Sequence, residues 1–327
     1  MRRIAALLVT ATLAASPAIA QTAAMTTTDS ATDPYIWLED KDGAKALAWV
    51  EAENAKTLPR LENDPRYATF YQEALAIASA KDRIPMPDQR YGRIYNFWRD
   101  VDHPHGVWRW TSEAEYASTD PTWTTTLDLD ALGKAEGKQW VFKGATCLRP
   151  EERLCLVALS EGGEDAVTYR EFDLASGQFV EGGFVLPKSK QNATWVDKDT
   201  LLVARDWGQG TTTDSGYAFV MKTVKRGQSL DKANEVYRGE PGDQGGTAAG
   251  VLTDAKGERL VVIQRRKTFF GADKLIWTPN GVTKLDLPDR TYPVALIDGQ
   301  VIFSTSDPWG DIPTGAIASA PFADVAK

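Results

Sequence analysis

From Arg83 onward the chain reads as short strand-like segments that return in groups, and this rhythm restricts the available folds more than any other feature. The segments include Arg93–Trp98, Val107–Thr111, Trp140–Phe142, Leu154–Leu159, Val167–Phe172, Leu201–Arg205, Tyr217–Met221, Leu260–Gln264, Lys274–Trp277 and Val301–Ser304. They are rich in β-branched and aromatic residues, which suit a pleated, half-buried surface. Between them lie turns such as Glu161-Gly162-Gly163-Glu164, Asp173–Gly177, Pro279-Asn280-Gly281 and Asp298-Gly299. Gly, Asn and Asp occur there because they tolerate the left-handed backbone of tight turns. The segments gather over residues 90–131, 138–181, 192–239, 247–287 and from Tyr292 onward. A strand ending in Asp-Leu and followed by a turn recurs at Leu127–Asp130, Phe172–Leu174 and Leu285–Leu287. A period of roughly 40–50 residues is that of propeller blades. The expected architecture is a β-propeller, with a long β-sandwich as the alternative.

The front of the chain follows other rules. Arg2 and Arg3 precede an apolar run from Ile4 to Ala15, then Ser16-Pro17 and Ala18-Ile19-Ala20. A charged start, a short apolar stretch and an A-x-A site are the parts of a cleaved export signal, expected over residues 1–20. The run is too short to span a bilayer comfortably. Residues 21–32, rich in Thr, Ala and Ser, read as a flexible lead-in. Residues 33–82 carry helical periodicity instead. Leu47, Val50, Asn54, Thr57, Leu58 and Leu61 share one face, with Pro59 marking a break, and Tyr67, Phe70, Tyr71, Ala74, Leu75 and Ala78 share another. Asp64-Pro65 supplies an N-cap and a first-turn proline to the second of these.

Without its first twenty residues the chain has 35 Lys+Arg against 45 Asp+Glu, a formal charge of −10. That acidity argues against nucleic-acid or anionic-membrane partners, which need a basic surface. The two cysteines, Cys147 and Cys155, flank a turn around Pro150. In an oxidising compartment they would form a cross-strand disulfide. Two small buried apolar residues are the other reading, and the spacing does not decide between them.

Several longer phrases resemble the prolyl oligopeptidase family of serine peptidases. Asp33-Pro34-Tyr35-Ile36-Trp37-Leu38-Glu39-Asp40 is similar to that family's mature opening, and Trp49-Val50-Glu51-Ala52-Glu53-Asn54 follows it. Tyr95–Asp100, Trp123–Asp130, Leu159–Asp165 with Arg170–Asp173, and Asp214–Tyr217 continue the series in order. The resemblance implies a mainly β chain. An N-terminal helical segment (33–82) would precede an incomplete seven-bladed-type propeller of about five blades (83–327). In that family the propeller restricts peptide entry to a C-terminal α/β-hydrolase domain, against which the helical segment packs. The implied partners are therefore a peptide substrate and a hydrolase domain missing from this chain, in a periplasmic or secreted enzyme.

The chemistry of such an enzyme is not found in these residues. No serine has glycine two positions before and two after it, as a nucleophile elbow requires. The two histidines lie in Asp102-His103-Pro104-His105-Gly106, near the front, whereas the hydrolase histidine follows its nucleophile. That stretch reads as an exposed loop rather than a metal site, with no third ligand at suitable spacing. Gly162-Gly163 and Gly182-Gly183 read as turns, and Asn192-Ala193-Thr194 as an incidental glycosylation match. Trp98, Trp108, Trp110, Trp123 and Trp140 are expected to pack between blades. No catalytic, cofactor-binding or metal-ligating residue is nominated, and the chain alone is expected to be inactive. The competing function is a stand-alone periplasmic propeller that binds peptide, protein or carbohydrate. Closure of the ring by a returning strand would mark that alternative, and the sequence carries no such return.

Overall fold

The computed structural model describes residues 33–40 and 42–325. The expected export signal and lead-in lie outside the described residues. Contacts divide the chain into two units, one ending at Leu75 and one beginning at Ala76.

In the first unit a short 3-10 turn over Ile36–Glu39 precedes α1 (Ala44–Glu62). Trp37 meets Trp49 edge to face at 6.3 Å, with the Lys45 ammonium 4.0 Å from the Trp37 ring. Pro59 does not break α1, contrary to the sequence expectation. A proline near a helix end removes one N–H donor while its carbonyl stays available, and here the Asn63 amide donates to the Pro59 carbonyl. α2 (Tyr67–Ala78) begins just after Asp64, whose side chain accepts from the Arg66 amide at 2.9 Å. Leu47, Val50, Leu58, Phe70, Tyr71 and Leu75 are exposed. No helix among the described residues is long and apolar enough to cross a membrane.

The second unit is mainly β, with few helices, and forms a five-bladed β-propeller. Blade 1 contains β1 (Asp88–Arg90), β2 (Arg93–Trp98) and β3 (Val107–Thr111), then α3 (Glu113–Tyr116) and β4 (Thr124–Asp128). α4 (Leu129–Glu136) leads to blade 2, with β5 (Trp140–Cys147), β6 (Leu154–Glu161), β7 (Val167–Asp173), β8 (Gln178–Phe179) and β9 (Val185–Ser189). Blade 3 has β10 (Asn192–Asp197), β11 (Thr200–Ala204), β12 (Val220–Lys225) and β13 (Asn234–Arg238). Blade 4 has β14 (Gly246–Thr253), β15 (Arg259–Arg266), β16 (Asp273–Thr278) and β17 (Gly281–Lys284). Blade 5 has β18 (Thr291–Ile297), β19 (Gln300–Thr305) and β20 (Ile317–Pro321), followed by α5 (Phe322–Val325). The strand pairings are antiparallel throughout, and successive strands are neighbours except that β9 pairs β7.

Burial explains why these are blades and not a sandwich. A sandwich sheet buries one face and leaves the other wet. Here the middle strands bury both. On β6, Leu156 and Ala158 pack with Trp195, Leu201 and Val203 of blade 3, while Cys155, Val157 and Leu159 pack with Tyr95 and Trp108 of blade 1. The alternation recurs on β11, where Leu202 and Ala204 face blade 4, and on β15, where Leu260 and Val262 face blade 5. Near-continuous apolar runs such as Leu154–Leu159 and Leu260–Ile263 are the sequence trace of strands buried on both sides.

Three further expectations are corrected. The Asp-Leu phrase at Leu127–Asp130 is not a plain turn: Asp128 accepts from the Asp130 and Ala131 amides and starts α4, which Gly137 closes in the left-handed conformation. Blade 2 runs past residue 181, because β9 returns to pair β7. The strand expected over Tyr217–Met221 begins only at Val220, since the Tyr217 carbonyl accepts from the Thr213 amide in a folded loop.

Candidate functional site

The first strands of four blades meet around one cavity. β1, β5, β10 and β14 line a common channel, and β18 lies beside β14. The channel has two cavities that share Asn192. Asn192 Oδ1 accepts from the Ala249 amide at 3.0 Å and so ties β10 to β14 across the wall. The sequence Asn192-Ala193-Thr194 thus serves inside the channel.

The first cavity, about 340 Å³, opens where the axial strands end. Arg90 Nη1 donates to the Ala145 carbonyl at 2.7 Å and lies 3.1 Å from Cys147 Sγ. Trp195 Nε1 donates to the Thr146 carbonyl at 2.8 Å. Arg259 donates to the Arg149 carbonyl at 2.6 Å and to that of Val196, binding blades 2, 3 and 4 together at this mouth. Cys147 and Cys155 are joined in a disulfide between directly paired positions of β5 and β6. This decides between the two readings of the cysteines. The bond fastens the base of the turn carrying Arg149, Pro150 and Glu152, which borders the cavity.

The second cavity, about 380 Å³, opens near the starts of β10 and β14. Lys190 and Gln191 reach it from the link between blades 2 and 3, Tyr217 from the β11–β12 loop, and Arg266 from the end of β15. Asp165 adds a carboxylate at its rim. The Lys190 ammonium lies 5.3 Å from the Tyr217 ring centre.

The histidines do not join the channel cavities. His103 Nδ1 is 3.1 Å from Asp100 and its Nε2 is 3.9 Å from Asp128, while His105 Nδ1 is 2.6 Å from Asp130. Asp100 also accepts the amides of Asp102 and His103, and Asp130 those of His105 and Gly106. The hydrogen bonds from His103 and the amides outweigh the burial that would raise its pKa, so Asp100 sits below the ordinary carboxylate range. These contacts brace the β2–β3 loop. Among the described residues no group of three His, Cys, Asp or Glu is placed to hold a metal. Of the five tryptophans expected between blades, Trp108 and Trp140 are buried there. Trp98, Trp110 and Trp123 are only half-buried, and guanidinium groups cover their faces: Arg83 and Arg109 on Trp98, Arg93 on Trp110, Arg109 on Trp123.

Sequence reasoning missed the channel residues because they come from four blades and share no local spacing. Arg265-Arg266-Lys267 was the one local signal, a run of cations at a strand end.

A propeller whose axial strands enclose a polar channel is the class this architecture defines. The chain matches the family model of the prolyl oligopeptidase N-terminal β-propeller domain over residues 15–284, and it belongs to that family. It is 47% identical over 285 residues to an uncharacterized peptidase, y4nA, of Sinorhizobium fredii, covering 85% of this chain and 39% of that protein. A post-proline cleaving enzyme from Rickettsia typhi superposes with a TM-score of 0.80 at 27% identity, over 89% of this chain and 44% of that one. Oligopeptidase B from Leishmania major shares the fold, with a TM-score of 0.66 at 14% identity over 90% of this chain and 40% of that one. The chain thus spans less than half the length of these relatives.

Proposed function

We propose that this chain is the propeller portion of an exported serine peptidase of prolyl oligopeptidase type. Its channel and loops limit which peptides reach an α/β-hydrolase domain carried elsewhere in the whole protein. The observation that carries this reading is the family match over most of the chain, joined to its coverage of 39% and 44% of two relatives whose names are peptidase and post-proline cleaving enzyme. In this reading residues 1–20 are an export signal, 21–32 a lead-in and 33–82 a helical segment. Residues 83–327 are the blades, part of a ring of seven-bladed type. The exposed apolar side chains of α1 and α2 suit a helical segment that packs on the hydrolase domain. Periplasmic or secreted location agrees with the signal pattern and with a Cys147–Cys155 disulfide.

The experiment is to read the DNA downstream of the coding segment in all frames. The expected result is further blades and then an α/β-hydrolase domain with G-x-S-x-G at a strand-to-helix turn, followed by the acid and the histidine. An unrelated gene behind a stop codon would overturn the reading in favour of a stand-alone binding propeller.

A further inference from the structure

The cations that neighbour Lys190 and Arg266 in sequence are paired with carboxylates. In the run Arg265-Arg266-Lys267, Arg265 is held by Asp243 at 2.8 Å and Lys267 by Asp273 at 2.9 Å. Lys188, two residues before Lys190, is paired with Glu164. Among the described residues Arg266 and Lys190 have no carboxylate partner, and both face the 380 Å³ cavity. Two unpaired cations at one mouth of a channel, against a formal charge of −8 for the whole chain, focus a positive potential there. Asp165 is the one carboxylate lining the same cavity and leaves the balance positive.

Arg266 is also set in place. A Cβ at Gly245 would stand 2.8 Å from Arg266 Cβ and 3.0 Å from its Cδ, so the arginine stem lies flat against bare glycine backbone. The same wall holds Gln191. Its amide nitrogen donates to the Val167 and Pro187 carbonyls at 2.7 and 2.8 Å, which fixes the amide and leaves Oε1 buried without a donor. A buried orphan acceptor is costly to keep.

We propose that this mouth binds the C-terminal carboxylate of an oligopeptide, with Arg266 and Lys190 as its cationic partners. The inference rests on the peptide-access reading above and adds a determinant to it. A planar carboxylate matches the arginine fork. A cavity of this size lies within the usual range for small-ligand sites.

The test uses the full chain and fluorescence anisotropy with a short, N-terminally labelled, proline-containing peptide, prepared as free acid and as C-terminal amide. Charge-assisted hydrogen bonds of this kind are expected to favour the acid by about tenfold. Arg266→Gln with Lys190→Gln should abolish the preference, and both side chains are exposed enough for the fold to survive, as circular dichroism would verify. Acid and amide binding equally would remove the carboxylate site and leave the access reading standing. A preference that persists in the double variant would overturn the assignment to these residues. Failure of both peptides to bind would count against the site and the access reading together.

Discussion

Arg226, at the β12–β13 turn of blade 3, donates to both carboxylate oxygens of Glu171 on β7 of blade 2, at 2.7 and 3.0 Å. The Glu171 side chain is 1% exposed and also accepts the Phe184 amide at 2.7 Å. Asp199 and the Lys198 carbonyl hold the other edge of the guanidinium, and the Phe184 ring lies 4.7 Å from its centre. Arg265 and Asp243 repeat the motif where blades 3 and 4 meet. Apolar side chains fill the interior of each seam, and these ion pairs fix its register.

Replacing Arg226 with Met should therefore cost more than replacing both partners. The single variant leaves a buried carboxylate without its cation, a loss of about 3–5 kcal/mol. Glu171→Gln combined with Arg226→Met removes the charge as well and should recover much of that loss. Urea unfolding of the wild type, the single variant and the double variant measures the difference. A double variant no more stable than the single one would refute the account.

The disulfide closes a loop of eight residues' separation. Loop-closure entropy for that length gives about 2.5 kcal/mol of stabilisation. Exported protein should show no free thiol on alkylation without reduction. Cys147→Ser with Cys155→Ser should lower the unfolding free energy by up to that amount. Two alkylated thiols in the intact mass of exported protein would contradict the bond.

Much of the blade pattern was legible in the sequence because strands buried on both faces need long apolar runs, and Leu154–Leu159 and Leu260–Gln264 supplied them. Helix α4 escaped because Leu129–Glu136 follows a strand phrase directly, and only the Asp128 cap and Gly137 stop mark it. β9 escaped because Val185–Ser189 is short, contains Pro187 and is largely exposed. The channel was legible only in the cationic run Arg265-Arg266-Lys267. Arg90, Lys190 and Arg266 stand far apart in the chain, and only the stacking of blades brings such residues to a common axis. Asn192 even carried a misleading motif.

Lys274 supplies a pH test of the seam between blades 4 and 5. Its side chain is buried, with the ammonium donating to the Pro288 carbonyl at 3.2 Å and to that of Asp289, 4.0 Å from the Tyr292 ring. Burial pushes its pKa down from 10.5 to about 8. Below about pH 8 the folded protein carries a charge that burial disfavours, and between about 8 and 10.5 the unfolded chain binds the extra proton. Stability from this group therefore rises with pH across that window. Lys274→Met should lack the rise, so the wild type should gain on it as pH climbs from 8 towards 10. Burial raises the pKa of Tyr95 from 10.0, so its opposing contribution begins at higher pH. Parallel denaturant titrations across the window measure the gap, and a constant difference would show that Lys274 is not the titrating group.

Gly245 and Gly246 separate folding from binding at the cationic mouth. Gly246 has φ +65°, and a Cβ there would stand 2.3 Å from the Ala218 carbonyl oxygen, a backbone atom that cannot swing aside. That carbonyl also accepts the Thr247 amide at 2.8 Å, so a shift would break the junction of blades 3 and 4. Gly246→Ala should lower stability by more than the roughly 1–3 kcal/mol of backbone strain alone. At Gly245 the obstacle is the base of the Arg266 side chain, whose Cβ and Cδ would stand 2.8 and 3.0 Å from the new Cβ, with no backbone atom among the nearest contacts. Gly245→Ala should cost less stability than Gly246→Ala, because no positive φ and no backbone clash is involved and only a small shift at the base of Arg266 is needed. It should nonetheless displace the guanidinium from the cavity. The two variants are then distinguished by two measurements, thermal unfolding and the ratio of acid to amide peptide affinity. Gly246→Ala should lose the more in the first, and Gly245→Ala should lose less there while losing most of the second. If Gly245→Ala kept the full preference for the free carboxylate, the packing of Arg266 on this glycine would have no part in placing it.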